Sequence, residues 1–189
     1  MQLAHTPVFS EADYLAQEEK GECRHEYVAG EVYAMAGGSQ RHNRITGNAY
    51  IQLSLLLKGR PCQVFMGDVK LHALRDQAYY YPDVMVVCGQ TPSAANESSV
   101  VDAPVLVIEV LSPSTEAIDR REKLAAYRRL PSVQEYVLIS QDHHGLEIYR
   151  RQGEAGWLYL AYEPGDTVEF ASVGVAVPLA ELYAGTDVA

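Results

Sequence analysis

The sequence predicts an α/β fold of the mixed (α+β) kind, a central mixed β-sheet flanked by helices, in one domain spanning 1–189. Three observations lead there. The run from Val105 to Leu111 is apolar in both alternation classes apart from Glu109, the pattern of a central strand covered on both faces. Helix-period segments stand at the start and in the middle of a longer series of strand-like ones. Helices therefore come first, a mixed sheet follows, one helix packs behind it, and strands close the chain. The 189 residues, 48% hydrophobic and 21% charged, suffice for one core and contain no repeat, low-complexity tract or linker to divide it.

Ser10 to about Lys20 reads as a short helix, with Ser10 as N-cap and Glu11 and Asp13 in the first turn, where acids favour the helix dipole. HEYVAGEVYAMAGG alternates about Ala29-Gly30 and predicts a β-hairpin. Gly37-Gly38-Ser39 ends it and can start a helix. In RHNRITGNAYIQLSLLLKGR, Ile45, Ala49, Leu53 and Leu56 recur at helical spacing as far as Gly59-Arg60-Pro61. QVFMGDVKLHAL reads as a strand, YYYPDVMVVCG as another opened by Pro82-Asp83, and 89–104 as a polar loop. After the buried strand, Ser112-Pro113-Ser114-Thr115 forms a turn, Glu116 to Leu130 a helix stopped by Pro131, and 134–140 a strand. GLEIYRRQ and WLYLAYE are further strands, and the apolar end VAVPLAELYAG packs on the core or on a partner.

Net charge is −10, which argues against a general nucleic-acid coat protein, whose affinity comes from phosphate contacts, and leaves room for a local basic site. The N-terminal segment has neither the basic nor the apolar region of a signal peptide. No apolar run approaches the roughly 18 residues of a membrane span. Cys23, Cys62 and Cys88 are odd in number and lack metal-type spacing, so they read as free thiols in a reducing cytoplasm, Cys88 as a buried core thiol.

A lone ionised carboxylate in a doubly covered strand is costly, so Glu109 has to be protonated, paired with a cation or bound to a metal. Asp83 follows Pro82 at the start of the preceding confident strand, a position that suits proline because no ladder N–H is lost. If the two strands are neighbours, the two carboxylates meet, and Mg²⁺, which prefers hard oxygen ligands, relieves their repulsion. The helix after the turn holds Arg120, Arg121, Lys123, Arg128 and Arg129, for a net +2 against −12 in the rest of the chain. Either this is a solvated helix face or it is a phosphate-contacting surface.

Geometry singles out Lys123. Seven helical residues from Glu116 run back about 10 Å, and Glu109 lies two strand residues, roughly 7 Å, from the end of its strand. The two positions are then nearly level. Asp119, four residues before Lys123, shares its helix face and either orients the ammonium or forms an ordinary surface pair with it. Two carboxylates, a lysine and a divalent metal make a hydrolytic site: the metal activates water and the lysine positions it or neutralises developing charge.

Pro82-Asp83 and Glu109 resemble the motif of the PD-(D/E)XK nuclease superfamily, although the usual lysine two residues after the acid is Leu111 here. The fuller set of segments resembles the Uma-type restriction endonucleases of that superfamily: HEYVAGEVYAMAGGSQRHNRI, YPDVMVV, PVLVIEVLSPSTEAIDRREKLAAY and EYVLI, over about 20 to 150. In that branch the lysine lies in the helix after the SPST turn, which is Lys123 here. The resemblance implies a restriction-endonuclease-like fold that hydrolyses phosphodiester bonds with Mg²⁺ or Mn²⁺, and often a homodimer; DNA is the first substrate it suggests, with RNA left open. It implies catalytic roles for Asp83, Glu109 and Lys123, with Asp83 and Glu109 on the metal. Glu26 either adds a metal contact or faces solvent from its hairpin; His42 contacts the site or makes a structural hydrogen bond; Arg120 and Arg121 meet phosphates. Two other classes stand beside this one: a non-catalytic module that keeps the nuclease fold for binding or regulation, and a metal-free glycoside hydrolase using the same carboxylates, which leaves Lys123 without a role.

Overall fold

The computed structural model describes residues 9–35, 37–89 and 99–188. Most of the polar loop expected at 89–104 lies outside the described residues, as does the start of the N-terminal segment. Ser10 caps α1 (Glu11–Glu18), its side chain accepting from the Asp13 N–H. The hairpin expected around Ala29-Gly30 is β1 (His25–Val28) and β2 (Glu31–Ala34), and both turn residues have positive φ, 49° and 98°, as a tight two-residue turn requires. α2 (Gln40–Leu56) follows, capped by Ser39.

Two segments that read as single strands are each divided between two sheets. β3 (Cys62–Met66) and β4 (Lys70–Ala73) separate at Gly67, whose φ of 69° turns the chain. β5 (Ala78–Tyr80) and β6 (Val84–Cys88) separate at Tyr81-Pro82-Asp83, where proline cannot continue a ladder. β7 (Val100–Val101) precedes β8 (Leu106–Val110), the buried strand with Glu109. α3, spanning 116–129, leads to β9 (Glu135–Ile139), β10 (Leu146–Arg151), β11 (Trp157–Tyr162), β12 (Thr167–Phe170), β13 (Val175–Pro178) and a one-turn α4 (Leu179–Leu182).

The main sheet has six strands in the order β11-β10-β9-β8-β6-β3, with β8 and β9 parallel and β6 antiparallel to β8. A second mixed sheet, β2-β1-β5-β4-β7, lies beside it. Strand alternation splits the core. Val84, Val86, Ile108 and Val110 face α2 through Ile45, Ala49 and Leu53, whereas Met85, Val107 and Leu138 face α3 through Ala126 and Tyr127. With a period of two, Glu109 is on the α3 side. The apolar C-terminus packs on the core: Leu179 and Leu182 join the α2 cluster, and Asn48 donates to the Leu182 and Ala184 carbonyls.

Two corrections arise. The helix after the SPST turn is not uniformly α-helical, because Asp119–Lys123 forms a π-turn between α-helical turns Glu116–Ile118 and Leu124–Arg129. Cys62 and Cys88 are not free thiols. They are register partners on β3 and β6 and form a disulfide, a pairing invisible while the two strands' neighbourhood is unknown; Cys23 is free and exposed. Thiol titration of the unreduced, unfolded chain is expected to give one thiol per molecule, rising to three after reduction; three before reduction would show the pair to be absent.

Candidate active site

Continuing the antiparallel register Val84↔Ile108 one step brings Asp83 to Glu109. The Asp83 side chain is fixed by the Val110 N–H, which donates to Oδ2 at 2.7 Å. His42 Nε2 stands 3.2 Å from the same oxygen. His42 comes from the first turn of α2, where Ser39 accepts from the His42 N–H at 3.0 Å and donates to Gln141 Oε1 at 2.9 Å. Gly38 makes room for the ring: a Cβ there would sit 3.0 Å from His42 Nδ1. Burial would lower the His42 pKa, but the hydrogen bond and charge of Asp83 outweigh it and hold the imidazole above its usual value.

Lys123 reaches into a ring of acids. Its Nζ is 2.9 Å from Glu26 Oε1, 3.2 Å from Glu109 Oε1 and 3.4 Å from Asp119 Oδ1. Glu109, Lys123 and Asp119 are 3%, 5% and 2% exposed, so these charges interact with little water between them. Burial pushes the Glu109 carboxyl well above the usual carboxylate range, against the pull of Lys123, and burial likewise raises Asp119. Burial would release the Lys123 proton; Glu109, Glu26 and Asp119 together hold it more tightly than in water. Lys123 is therefore an ammonium at neutral pH. The π-turn contributes here, since both of its ends, Asp119 and Lys123, are buried toward the sheet. Such turns recur at functional positions in helices, and the Tyr136 hydroxyl donates to the Asp119 carbonyl at 3.1 Å.

Asp83, Glu109, Lys123, Glu26, His42 and Asp119 thus converge on one cleft of about 530 Å³. Arg120 and Arg121 do not line it. Arg120 makes a fork to both Glu147 oxygens at 2.8 and 2.9 Å and a bond to Glu116 at 2.7 Å, and Arg121 is exposed.

Several further residues belong to the site. The Tyr127 hydroxyl donates to Glu109 Oε1 at 3.0 Å; its place four residues after Lys123 is the signal that could have found it. The Tyr81 N–H donates to Glu26 Oε1 at 3.2 Å and its hydroxyl to Glu18 Oε1 at 2.9 Å, which anchors the segment carrying Asp83. Gln141 enters from beyond β9, and nothing in its sequence neighbourhood signals it.

A family model described as "Uma2: Putative restriction endonuclease" matches residues 11–180. Two uncharacterized proteins of Synechocystis, slr1290 and sll1609, are each 36% identical to this chain; the first match covers 97% of this chain and 98% of its relative, the second 84% and 89%. A crystal structure from Anabaena variabilis, described as a putative nuclease belonging to DUF820, superposes with a TM-score of 0.74 at 20% identity, covering 91% of this chain and 96% of that one. It shares the mixed-sheet fold with its flanking helices.

Proposed function

This chain belongs to the Uma2 family of restriction-endonuclease-like proteins, and on that premise we propose that it is a Mg²⁺- or Mn²⁺-dependent endonuclease that hydrolyses phosphodiester bonds in DNA. The observation that carries the reading is the meeting of Asp83 and Glu109 across neighbouring strands with Lys123 Nζ 3.2 Å from Glu109.

A divalent cation fits this donor set. Glu26, Asp83, Glu109, Asp119 and Glu122 bring five carboxyl groups to a cleft whose only lysine or arginine, among the described residues, is Lys123. As they stand, no three His, Cys, Asp or Glu side chains among the described residues form a metal-holding group; Mg²⁺ needs fewer, being held by one or two carboxylates with water and substrate phosphate. Asp83 and Glu109 are the residues to hold it, with Glu26 beside them. The metal supplies Lewis acidity toward the phosphate and lowers the pKa of water.

The chain's own groups do the rest. The Val110 N–H and His42 aim the Asp83 carboxylate. Lys123, kept protonated by its acids, cannot take a proton from the attacking water. It orients that water through an N–H donor and offsets negative charge gathering on the phosphate. Glu109, held by Lys123 and Tyr127, is kept from swinging away from Asp83.

Calorimetry of Mg²⁺ and Mn²⁺ binding tests this reading. The native protein is expected to bind at millimolar metal or below, and Asp83→Asn to lose that binding. Equal binding by both proteins removes Asp83 from the metal site. Absence of binding by the native protein, with and without DNA, together with absence of cleavage, overturns the nuclease reading in favour of a non-catalytic module. No helix among the described residues is long and apolar enough to cross a membrane.

A further inference from the structure

The mouth of the cleft is apolar and aromatic where a duplex-binding surface carries cations. Tyr33 on β2 is the register partner of Glu26 on β1. Directly opposed residues of an antiparallel pair share a face, so Tyr33 stands over the same cleft into which Glu26 points. Met35, two residues on, continues that wall. Pro113 and Ile118, from the turn and first helical residues after β8, line the cleft with them. Tyr33, Met35 and Ile118 are 50%, 43% and 40% exposed, large apolar groups left uncovered at the entrance to a polar floor.

Charge points the same way. Lys123 is already surrounded by three carboxylates, Arg120 is taken by Glu116 and Glu147, and Glu122 adds another acid to the lining. Holding a duplex needs several phosphates neutralised by Lys and Arg. A strand with unpaired bases has a further source of affinity that a closed duplex lacks, the stacking of its bases on aromatic side chains. The acids also lie on the cleft floor, Glu109 at 3% exposed, so a phosphate has to leave the contour of a regular helix to reach them.

We infer that the substrate is a nucleic-acid strand unpaired at the cleavage point, single-stranded or opened out of a duplex, with a base stacked on Tyr33 between the β2 wall and the Pro113–Ile118 wall. Its phosphate then descends to Asp83 and Glu109. The inference rests on the nuclease reading for the chemistry, and on the rim alone for the recognition.

The test uses the full chain and four labelled nucleic acids of one sequence: single-stranded DNA, single-stranded RNA, a blunt DNA duplex and a duplex with a central bulge. Binding is followed by fluorescence anisotropy and cleavage with Mn²⁺ on gels. Single-stranded and bulged substrates are expected to bind and be cut at least tenfold better than the blunt duplex, and the DNA and RNA arms decide which sugar is preferred. Tyr33→Ala is expected to weaken single-strand binding about ten- to a hundredfold, Tyr33→Phe to keep it, and Ile118→Ala, on a separate element of the lining, to weaken it independently of any folding defect at β2. Val32→Ala, on the other face of the same strand, is expected to change nothing. A blunt duplex bound and cut as well as the single strand, or indifference to both Tyr33→Ala and Ile118→Ala, overturns the inference and leaves the nuclease reading intact. Tyr33-dependent single-strand binding with no cleavage supports the inference and overturns the nuclease reading; neither binding nor cleavage overturns both.

Discussion

Lys123→Met is expected to lower the stability of the protein by about 3–5 kcal/mol at neutral pH, the usual cost of leaving buried charges without their partner, and to abolish cleavage. The variant keeps the length of the side chain and removes the ammonium that three carboxylates share at 2.9, 3.2 and 3.4 Å. The loss should depend on pH in a stated direction. Burial already raises Glu109 and Asp119 above their ordinary values, and removing Lys123 raises them further. A carboxyl whose folded pKa lies above its unfolded value, about 4 for these residues, leaves stability intact below that value. It removes stability as pH rises toward the folded pKa, because the unfolded chain ionises first. The deficit of Lys123→Met should therefore be small near pH 4 and widen toward neutrality, as urea denaturation at several pH values will measure. Adding Glu109→Gln, which still accepts from Tyr127, should recover part of the loss at pH 7. A deficit under about 1 kcal/mol and flat with pH, the behaviour of a solvated ion pair, would show that the cluster is open to water.

Asp83→Asn should leave the fold nearly unchanged and reduce metal-dependent cleavage by about a thousandfold or more, since the charge stabilisation a metal supplies is several kcal/mol and each 1.36 kcal/mol is tenfold in rate. Asparagine still offers an oxygen to the Val110 N–H, so the junction between the two sheets keeps its hydrogen bond. What disappears is the anionic charge for the metal and for His42. The comparison to make is initial cleavage rate against Mn²⁺ concentration, alongside thermal melting of the same samples. Full activity in the variant would remove Asp83 from the reaction, and a collapse in melting temperature would make its role structural. The two variants separate the parts of the site, because Lys123 is expected to serve both fold and reaction whereas Asp83 is expected to serve the reaction alone.

Much of this site is legible along the chain because side-chain direction follows local periodicity. A glutamate in a strand apolar on both faces must meet something positive, and the helical rise against the strand rise places Lys123 level with it; the structure has the two at 3.2 Å. Asp83 after Pro82 and the GGS start of α2 were visible for the same reason, each being a local backbone requirement. Arg120 illustrates the limit. Net charge on a segment says nothing of which acids a distant strand brings to it, and Glu147 on β10 takes Arg120.

The sequence by itself determined the mixed sheet with its helices, the buried strand, the acid pair and the lysine behind it, since each follows from periods of two and 3.6 residues and from residues that end or cap an element. Tertiary structure decided what those periods cannot encode. It divided two apparent strands between sheets at Gly67 and Pro82, joined Cys62 to Cys88, widened the helix into a π-turn at Asp119–Lys123, brought Gln141 and Tyr33 to the cleft, and placed the Tyr127 hydroxyl on Glu109. The physical reason is that pairing between distant segments is set by how whole faces pack and which register buries them, and a local window contains neither partner.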